Sequence, residues 1–358
     1  MMDYILKQIP EDFVVVEKSL VLSSEKFDLG NGNYSCFYLK KRNLDMHSAI
    51  RKLSFALKMS ERRFSYAGVK DKRAVSFQFC SVYGNIDHFS ESSPDFSYEV
   101  FPVGRIRRPV SLGDLYGNYF AITARNIFED EISGSFKKGC HVLQKVPNYF
   151  GSQRFGIDNN NPVIGKMIVK KKFSEALFEI MKSSRFLNLK GFENPIDAMR
   201  KIPLKVLSIY VHSYQSMLFN MTVDRYIRES FPFSEKNKLG FLLDGSSFDD
   251  SVIDIPLVGF GLCGEIRKLA RKDSKNAEVI DRIIREILEE EEIEADSFAV
   301  RQFPELSGES IMRKAFVDVD FLIRDVVPDF LNPGKKAIRF LFFLPKSSYA
   351  TVAISSIL

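Results

Sequence analysis

The sequence predicts an α+β protein in which one domain is inserted into another. Strand-like segments dominate the first part of the chain, helical periodicity dominates the middle, and strands return at the end. The 358 residues suffice for about two domains at ordinary domain size. The strand–helix–strand order would place both chain ends in one sheet. Hydrophobic residues make up 45% and charged residues 27%, which excludes wholesale disorder.

The elements follow from local pattern. Phe13 to Glu17 is a β-branched run, and Tyr34 to Leu39 is an aromatic, half-alternating one. Gly30-Asn31-Gly32-Asn33 between them signals a turn. Asn43 or Asp45 can cap a helix that carries Met46, Ile50, Leu53 and Leu57 on one face. Val75 to Tyr83 alternates as a strand, and Tyr119 to Ala124 is predicted as another after a turn at Gly117-Asn118. Beyond Gly156, Lys170-Lys171-Lys172 precedes a helical pattern, Pro203 to Glu229 reads as a long helix, and Ala277 to Asp296 as a strongly amphipathic one. The acidic run Glu289 to Glu292 reads as solvated surface. Ala315 to Arg324 and Ala337 to Leu344 are the returning strands.

Several function classes fall away. Met1 to Phe13 carries Asp3, Lys7, Glu11 and Asp12, so no signal-peptide core can be drawn there. The apolar stretch from Ala337 to Leu358 is interrupted by Arg339, Pro345 and Lys346, which makes a bilayer span costly. Cys36, Cys80, Cys140 and Cys263 form no CxxC pair, as expected of reduced thiols in a cytosolic protein. Four histidines, none paired at i+4, offer little for zinc. Basic and acidic residues number 22 and 17 up to Arg154, 22 and 24 from Phe155 to Gly308, and 7 and 5 thereafter. A polyanion would be drawn to the ends, although so small a balance is common in proteins that bind none.

Four stretches carry chemistry-bearing residues. In Ser65 to Val75 a glycine leads to Asp71, which is flanked by Lys70, Lys72 and Arg73 just before a strand. The cations favour an ionised carboxylate and attract a phosphodiester to the same place; spacing alone fits a surface turn with incidental ion pairs better. Val146 to Gly156 sets aromatics, amides and Arg154 between glycines where the composition changes, suiting a binding loop or a packed junction. In Leu112 to Phe120, Asn118 can hydrogen-bond a sugar or base edge, or simply form a turn. Leu344 to Thr351 closes the chain with Tyr349.

Together and in this order, the four stretches resemble the TruD family of pseudouridine synthases. Ala67 to Gln78 resembles the family's catalytic loop, AGxKDKxAxTxQ, with Ser76 where threonine is usual. Val146 to Gly156 is similar to the family signature almost residue for residue. Lys7 with Pro10-Glu11-Asp12-Phe13 resembles the opening strand motif, Gly117-Asn118 with Phe120 the GNxF motif, and Gln215 to Asn220 the helix that begins the inserted domain's core. Two departures stand near the C-terminus. Ser347 replaces a usual glycine, and Ser355-Ser356-Ile357-Leu358 replaces an Arg-Glu-Leu ending.

The resemblance implies a pseudouridine-synthase-type, mixed and largely antiparallel sheet with helices. Residues 1–154 and 309–358 would form a discontinuous catalytic domain, and 155–308 an inserted α/β TRUD domain. It implies an isomerase that turns uridine into pseudouridine in RNA, with uridine 13 of tRNA as the target and other RNAs within the family's range. Asp71 matches the catalytic aspartate. Phe13, Asn118 and Tyr349 match residues that contact the target nucleotide, and Lys7 resembles the basic partner that would hold the aspartate ionised. Lys40, Lys41, Arg42, Arg62, Arg63, Arg105, Arg107, Arg108 and Arg339 would position the RNA backbone. No metal, cofactor, guide RNA, membrane or obligatory protein partner is implied, and a cytoplasmic monomer is the default. The alternative is a non-catalytic RNA-binding protein or tRNA-folding chaperone on the same scaffold; the intact Gly68 to Lys72 loop speaks against it.

Overall fold

The computed structural model describes residues 3–23, 30, 32–86, 89, 93, 95, 97–132, 136, 138–182, 193–230 and 253–358. The chain divides into two compact units: residues 1–144, 318–350 and 358, and residues 145–317 and 351–357. Among the described residues, no helix is long and apolar enough to cross a membrane.

The strands of the principal sheet are β1 (Phe13–Ser19), β2 (Tyr34–Arg42), β3 (Phe64–Tyr66), β4 (Val75–Tyr83), β5 (Tyr98–Ile106), β6 (Leu115–Ile127), β7 (His141–Pro147), β10 (Phe316–Pro328) and β11 (Lys336–Pro345). Their order is β5-β2-β4-β1-β6-β11-β10-β7, with β3 also paired to β4. β1 and β4 are parallel, and β2–β4, β2–β5, β1–β6, β6–β11, β10–β11 and β3–β4 are antiparallel. This is the largely antiparallel α+β arrangement that the resemblance implies. Helix α1 (Met46–Ala56) starts at Asp45, whose carboxylate accepts from the Ser48 amide at 2.9 Å. Its apolar side, Met46, Ala49, Ile50 and Leu53, packs with Phe37, Leu39, Cys80, Val82 and Val100.

Paired residues share a face of a sheet, so the register sets Lys41, Ser76, Val15, Phe120 and Phe342 in one line. Two residues further along, Gln78 opposite Leu39, and Glu17 opposite Asn118, come to the same face. Gly117 and Asn118 lie inside β6 and not in the expected turn. The glycine is there for close approach: a Cβ at Gly117 would lie 2.3 Å from the Leu344 carbonyl oxygen on β11. The expected Gly30–Asn33 turn includes residue 31, which lies outside the described residues.

The second unit is built on helices α2 (Asn161–Val169), α3 (Phe173–Met181), α4 (Pro195–Met199), α5 (Leu204–Ser230), α6 (Leu262–Lys272) and α7 (Ser274–Glu291), with a small antiparallel pair, β8 (Asp254–Pro256) and β9 (Met312–Lys314). Helix α8 (Ala350–Ile357) ends the chain. Buried Leu207, Val211, Tyr214, Leu218 and Val223 run along α5 and pack with Ile280, Ile283, Ile284 and Ile287 of α7. Helix α7 stops five residues before the expected Asp296, because Glu292 turns left-handed at φ +53°. The acidic run is not simply solvated surface either, since Glu291 accepts from the Tyr214 hydroxyl at 2.8 Å and pairs with Lys166 at 2.9 Å.

Candidate active site

Residues 67–74 connect β3 to β4. One side of β4 pairs with β2 along its length; the other pairs with β1 at residues 75–77 and with β3 at residues 80–82. The loop therefore leaves the sheet where β1 and β3 part. Its carbonyls are held one after another. Ala67 O accepts from the Gly113 amide at 2.9 Å, Gly68 O from Gln78 Nε2 at 2.8 Å, Asp71 O from Lys41 Nζ at 2.8 Å, and Lys72 O from the Ala74 amide at 2.9 Å. Gln78 and Lys41 are both fully buried donors on the face defined above. These two donors favour this loop conformation, since losing either leaves a part-buried loop carbonyl without its side-chain partner.

Asp71 carries the loop's carboxylate. Its Oδ2 accepts from Lys7 Nζ, with 33% of the aspartate side chain exposed. Lys7 Nζ also lies 4.1 Å from the centre of the Phe13 ring. Lys7 sits in left-handed backbone at φ +58°, and its segment is tied down on both sides. Ile5 and Arg125 exchange backbone hydrogen bonds at 2.9 and 3.0 Å, and Arg73 donates to Gln8 O at 2.8 Å. Phe13, 5% exposed, meets Phe120 edge to face at 5.9 Å.

Lys70, the neighbour of Asp71, has partners of its own. Its Nζ donates to Asn118 Oδ1 and lies 3.2 Å from Glu17 Oε2. Glu17 is 1% exposed, and neither of its carboxylate oxygens has a well-formed hydrogen bond. Burial raises its pKa against the opposing pull of Lys70, and burial lowers that of Lys70 against the pull of Glu17. Burial likewise brings the Lys41 ammonium down to about 8, opposed by the charges of Asp71 and Asp45.

Lys7 thus meets both Phe13 and Asp71, and Asn118 is tied to the loop through Lys70. Tyr349 is half-buried in the same compact unit, just before α8. Ser347 adopts φ +69°, where a glycine is unstrained. Several of the basic residues expected on RNA are engaged elsewhere. Lys41 is buried beneath the loop and cannot reach a phosphate. Lys40 pairs with Glu99 at 2.6 Å, Arg42 with Glu11 at 2.5 Å, and Arg339 with Asp325 at 3.5 Å. Arg62, Arg63 and Arg107 are exposed.

Sequence reasoning missed Glu17, named Gln78 only as the last position of the loop motif, and read Lys41 as a phosphate contact and not as a support of the loop. The signal was present: Glu17 continues the inward alternation of Phe13 and Val15, and Lys41 that of Phe37 and Leu39. A charge at an inward strand position needs a reason.

In the second unit, the stretch from Val146 to Gly156 is fastened to α5. Arg313 donates to Asn148 O and Oδ1 at 2.9 and 3.0 Å, and its guanidinium lies 4.1 Å from the Phe150 ring centre. Asn220 exchanges hydrogen bonds with the Phe150 backbone at 2.8 and 3.0 Å, and Arg154 donates to Ser216 Oγ at 3.1 Å. Two separate sequence motifs, 146–156 and 215–220, are therefore one packed arrangement.

A largely antiparallel sheet whose polar inner residues hold an aspartate-bearing loop is the α+β arrangement that the resemblance to pseudouridine synthases implies. The family model for tRNA pseudouridine synthase D (TruD) matches residues 2–187 and 268–357, and the chain belongs to the TruD family. It is 29% identical over 371 residues to a Methanopyrus kandleri protein bearing the tRNA pseudouridine synthase D name, covering 92% of this chain and 86% of that one. A Methanosarcina mazei protein of the same name is 31% identical over 412 residues, covering 98% and 92%. A crystal structure of a Methanosarcina mazei protein carrying the tRNA pseudouridine synthase D name matches with a TM-score of 0.65 at 26% identity, covering 98% of this chain and 92% of that one.

Proposed function

We propose that this protein is a tRNA pseudouridine synthase acting at uridine 13, with Asp71 as its catalytic aspartate. The observation that supports this best is the Asp71 carboxylate, partly exposed and paired with Lys7 on a loop whose carbonyls are pinned by buried donors. Isomerisation breaks the N1–C1′ bond, turns the uracil and joins C5 to C1′; C5 then gives up its proton and N1 gains one, so that no atom is gained or lost overall. A preset carboxylate can act at C1′, at C6 or on the 2′ proton without rearranging first. The target nucleotide must leave its stack, at a cost of a few kcal/mol. Phe13, Asn118 and Tyr349 are the residues assigned to receive it. Residues 1–154 and 309–358 are assigned to catalysis, and residues 155–308 to the inserted domain.

The test is to incubate the purified chain with unmodified tRNA transcripts and map pseudouridine by carbodiimide labelling and primer extension. One new pseudouridine at position 13 is expected. Asp71→Asn should fold and bind tRNA within about threefold of wild type, with single-turnover rate reduced at least roughly 10³-fold. Wild-type turnover by Asp71→Asn would remove the aspartate from its role. Tight tRNA binding with no pseudouridine from the unaltered chain would favour the chaperone alternative.

A further inference from the structure

Lys7 holds the Asp71 side chain, but a second ammonium holds its main chain. Lys41 is fully buried on β2, and its acceptors among the described residues are backbone carbonyls: Asp71 O at 2.8 Å, Leu44 O at 2.9 Å and Lys70 O at 3.4 Å. One side chain thereby ties together the strand, the turn leading into α1 and the loop. We propose that Lys41 is a positioning residue for the reaction, fixing the Asp71 backbone so that Lys7 and substrate meet a carboxylate already in place; this rests on the reading of Asp71 as catalytic.

The position is a costly one for a lysine. Lys41 follows Phe37 and Leu39 on the inward face of β2, where an apolar side chain would complete the packing without desolvating a charge. Burial and the neighbouring Lys70 disfavour its ammonium, while Asp71 and Asp45 favour it. Lys41 belongs to neither the loop nor its motif, yet it donates to the carbonyl of the very residue whose side chain does the chemistry. A displacement of about 1 Å in a reacting group can cost roughly 10²-fold in rate. Losing two of the loop's carbonyl contacts at residues 70 and 71 permits a shift of that size.

The experiment compares full-length wild type, Lys41→Met, Lys41→Gln and Asp71→Asn. Single-turnover rate on unmodified tRNA transcripts, tRNA affinity by filter binding and folded fraction by circular dichroism are measured for each. Lys41→Met keeps the length of the side chain without donor or charge. Its rate per folded molecule should fall about 100-fold with affinity within about threefold. Lys41→Gln, which can still donate to a carbonyl, should fall between the two. A wild-type rate per folded molecule in Lys41→Met would overturn the proposal. So would failure of both variants to fold, because Lys41 would then be structural. Turnover by Asp71→Asn overturns the Asp71 reading and this proposal with it, whereas an inactive Asp71→Asn beside a fully active Lys41→Met overturns this proposal alone.

Discussion

Arg125 on β6 meets Asp12 and Asp329 at 2.7 Å each, and all three side chains are nearly inaccessible. The remaining carboxylate valences are filled too: the Ile9 amide donates to Asp12, and the Asn126 and Leu331 amides and the Asn332 side chain donate to Asp329. In the same sheet, Glu17 meets Lys70 at 3.2 Å without a well-formed hydrogen bond, and Lys41 meets main-chain carbonyls. Their titration runs in opposite directions. Burial works to raise Asp329, but its bonds to Asn332, Asn126, Leu331 and Arg125 hold it below the ordinary value. Burial raises Glu17 and lowers Lys41, and their partners do not compensate. At Asp329 the partners outweigh burial; at Glu17 and Lys41 burial outweighs the partners, where the loop needs donors. For Lys41, a value of about 8 against an ordinary 10.5 corresponds to about 3 kcal/mol.

Breaking the well-paired cluster should have the largest effect on stability. Arg125→Met leaves two buried carboxylates uncompensated and should lower the unfolding free energy by about 3–5 kcal/mol, read by urea denaturation. A loss below about 1 kcal/mol would erase the contrast between the clusters.

Glu17→Gln probes the other cluster. The folded-state pKa of Glu17 lies above its ordinary 4.5, so the native state holds the proton more tightly than the unfolded chain does. Its contribution is favourable below pH 4.5 and is lost as pH rises through the folded value. Glu17→Gln should therefore match wild type at low pH and gain up to about 1 kcal/mol on it by pH 7. A series of urea titrations between pH 4 and 7 decides the matter. Destabilisation at pH 7 would mean that the Glu17–Lys70 pair stabilises the fold as the Arg125 cluster does.

The smallest effect belongs to Ser347. Its φ of +69° strains any residue with a Cβ, so Ser347→Gly should stabilise by about 0.5–1 kcal/mol in thermal melts. A loss of stability would show that the serine side chain contributes more than its backbone costs.

β1, β2, β4, β6, β10 and β11 were legible because they carry β-branched and aromatic residues in alternation, whereas β3, β5 and β7 were not read as strands; α1 was legible because Asp45 precedes a clean helical stripe. The Asp71 loop was legible as a motif, not as spacing. The errors share a cause. Gly117-Asn118 has the local chemistry of a turn, and pairing with β1 on one side and the close approach of Leu344, more than 200 residues later, on the other make the glycine a strand residue. Lys41 reads as one of three consecutive basic residues. Its burial depends on the carbonyls of Leu44, Lys70 and Asp71, and hydrogen-bond partners of this kind leave no trace in composition. Glu291 belongs to an acidic run, and its link to Tyr214 is made across helices. Local pattern shows what a segment can form; it does not show what will pack against it.

The strand order also bears on how the chain is made. β6 pairs on one side with β1, which precedes it, and on the other with β11. Between the end of β6 and the start of β11, the ribosome must deliver roughly 200 residues, which takes on the order of ten to forty seconds. Throughout that interval the nascent sheet has a 13-residue strand with one hydrogen-bonding edge unfilled by its native partner. Such an edge is a template for pairing with another chain. The interval before β11 arrives is therefore the stage of biosynthesis at which this protein is most exposed to aggregation and most in need of a chaperone.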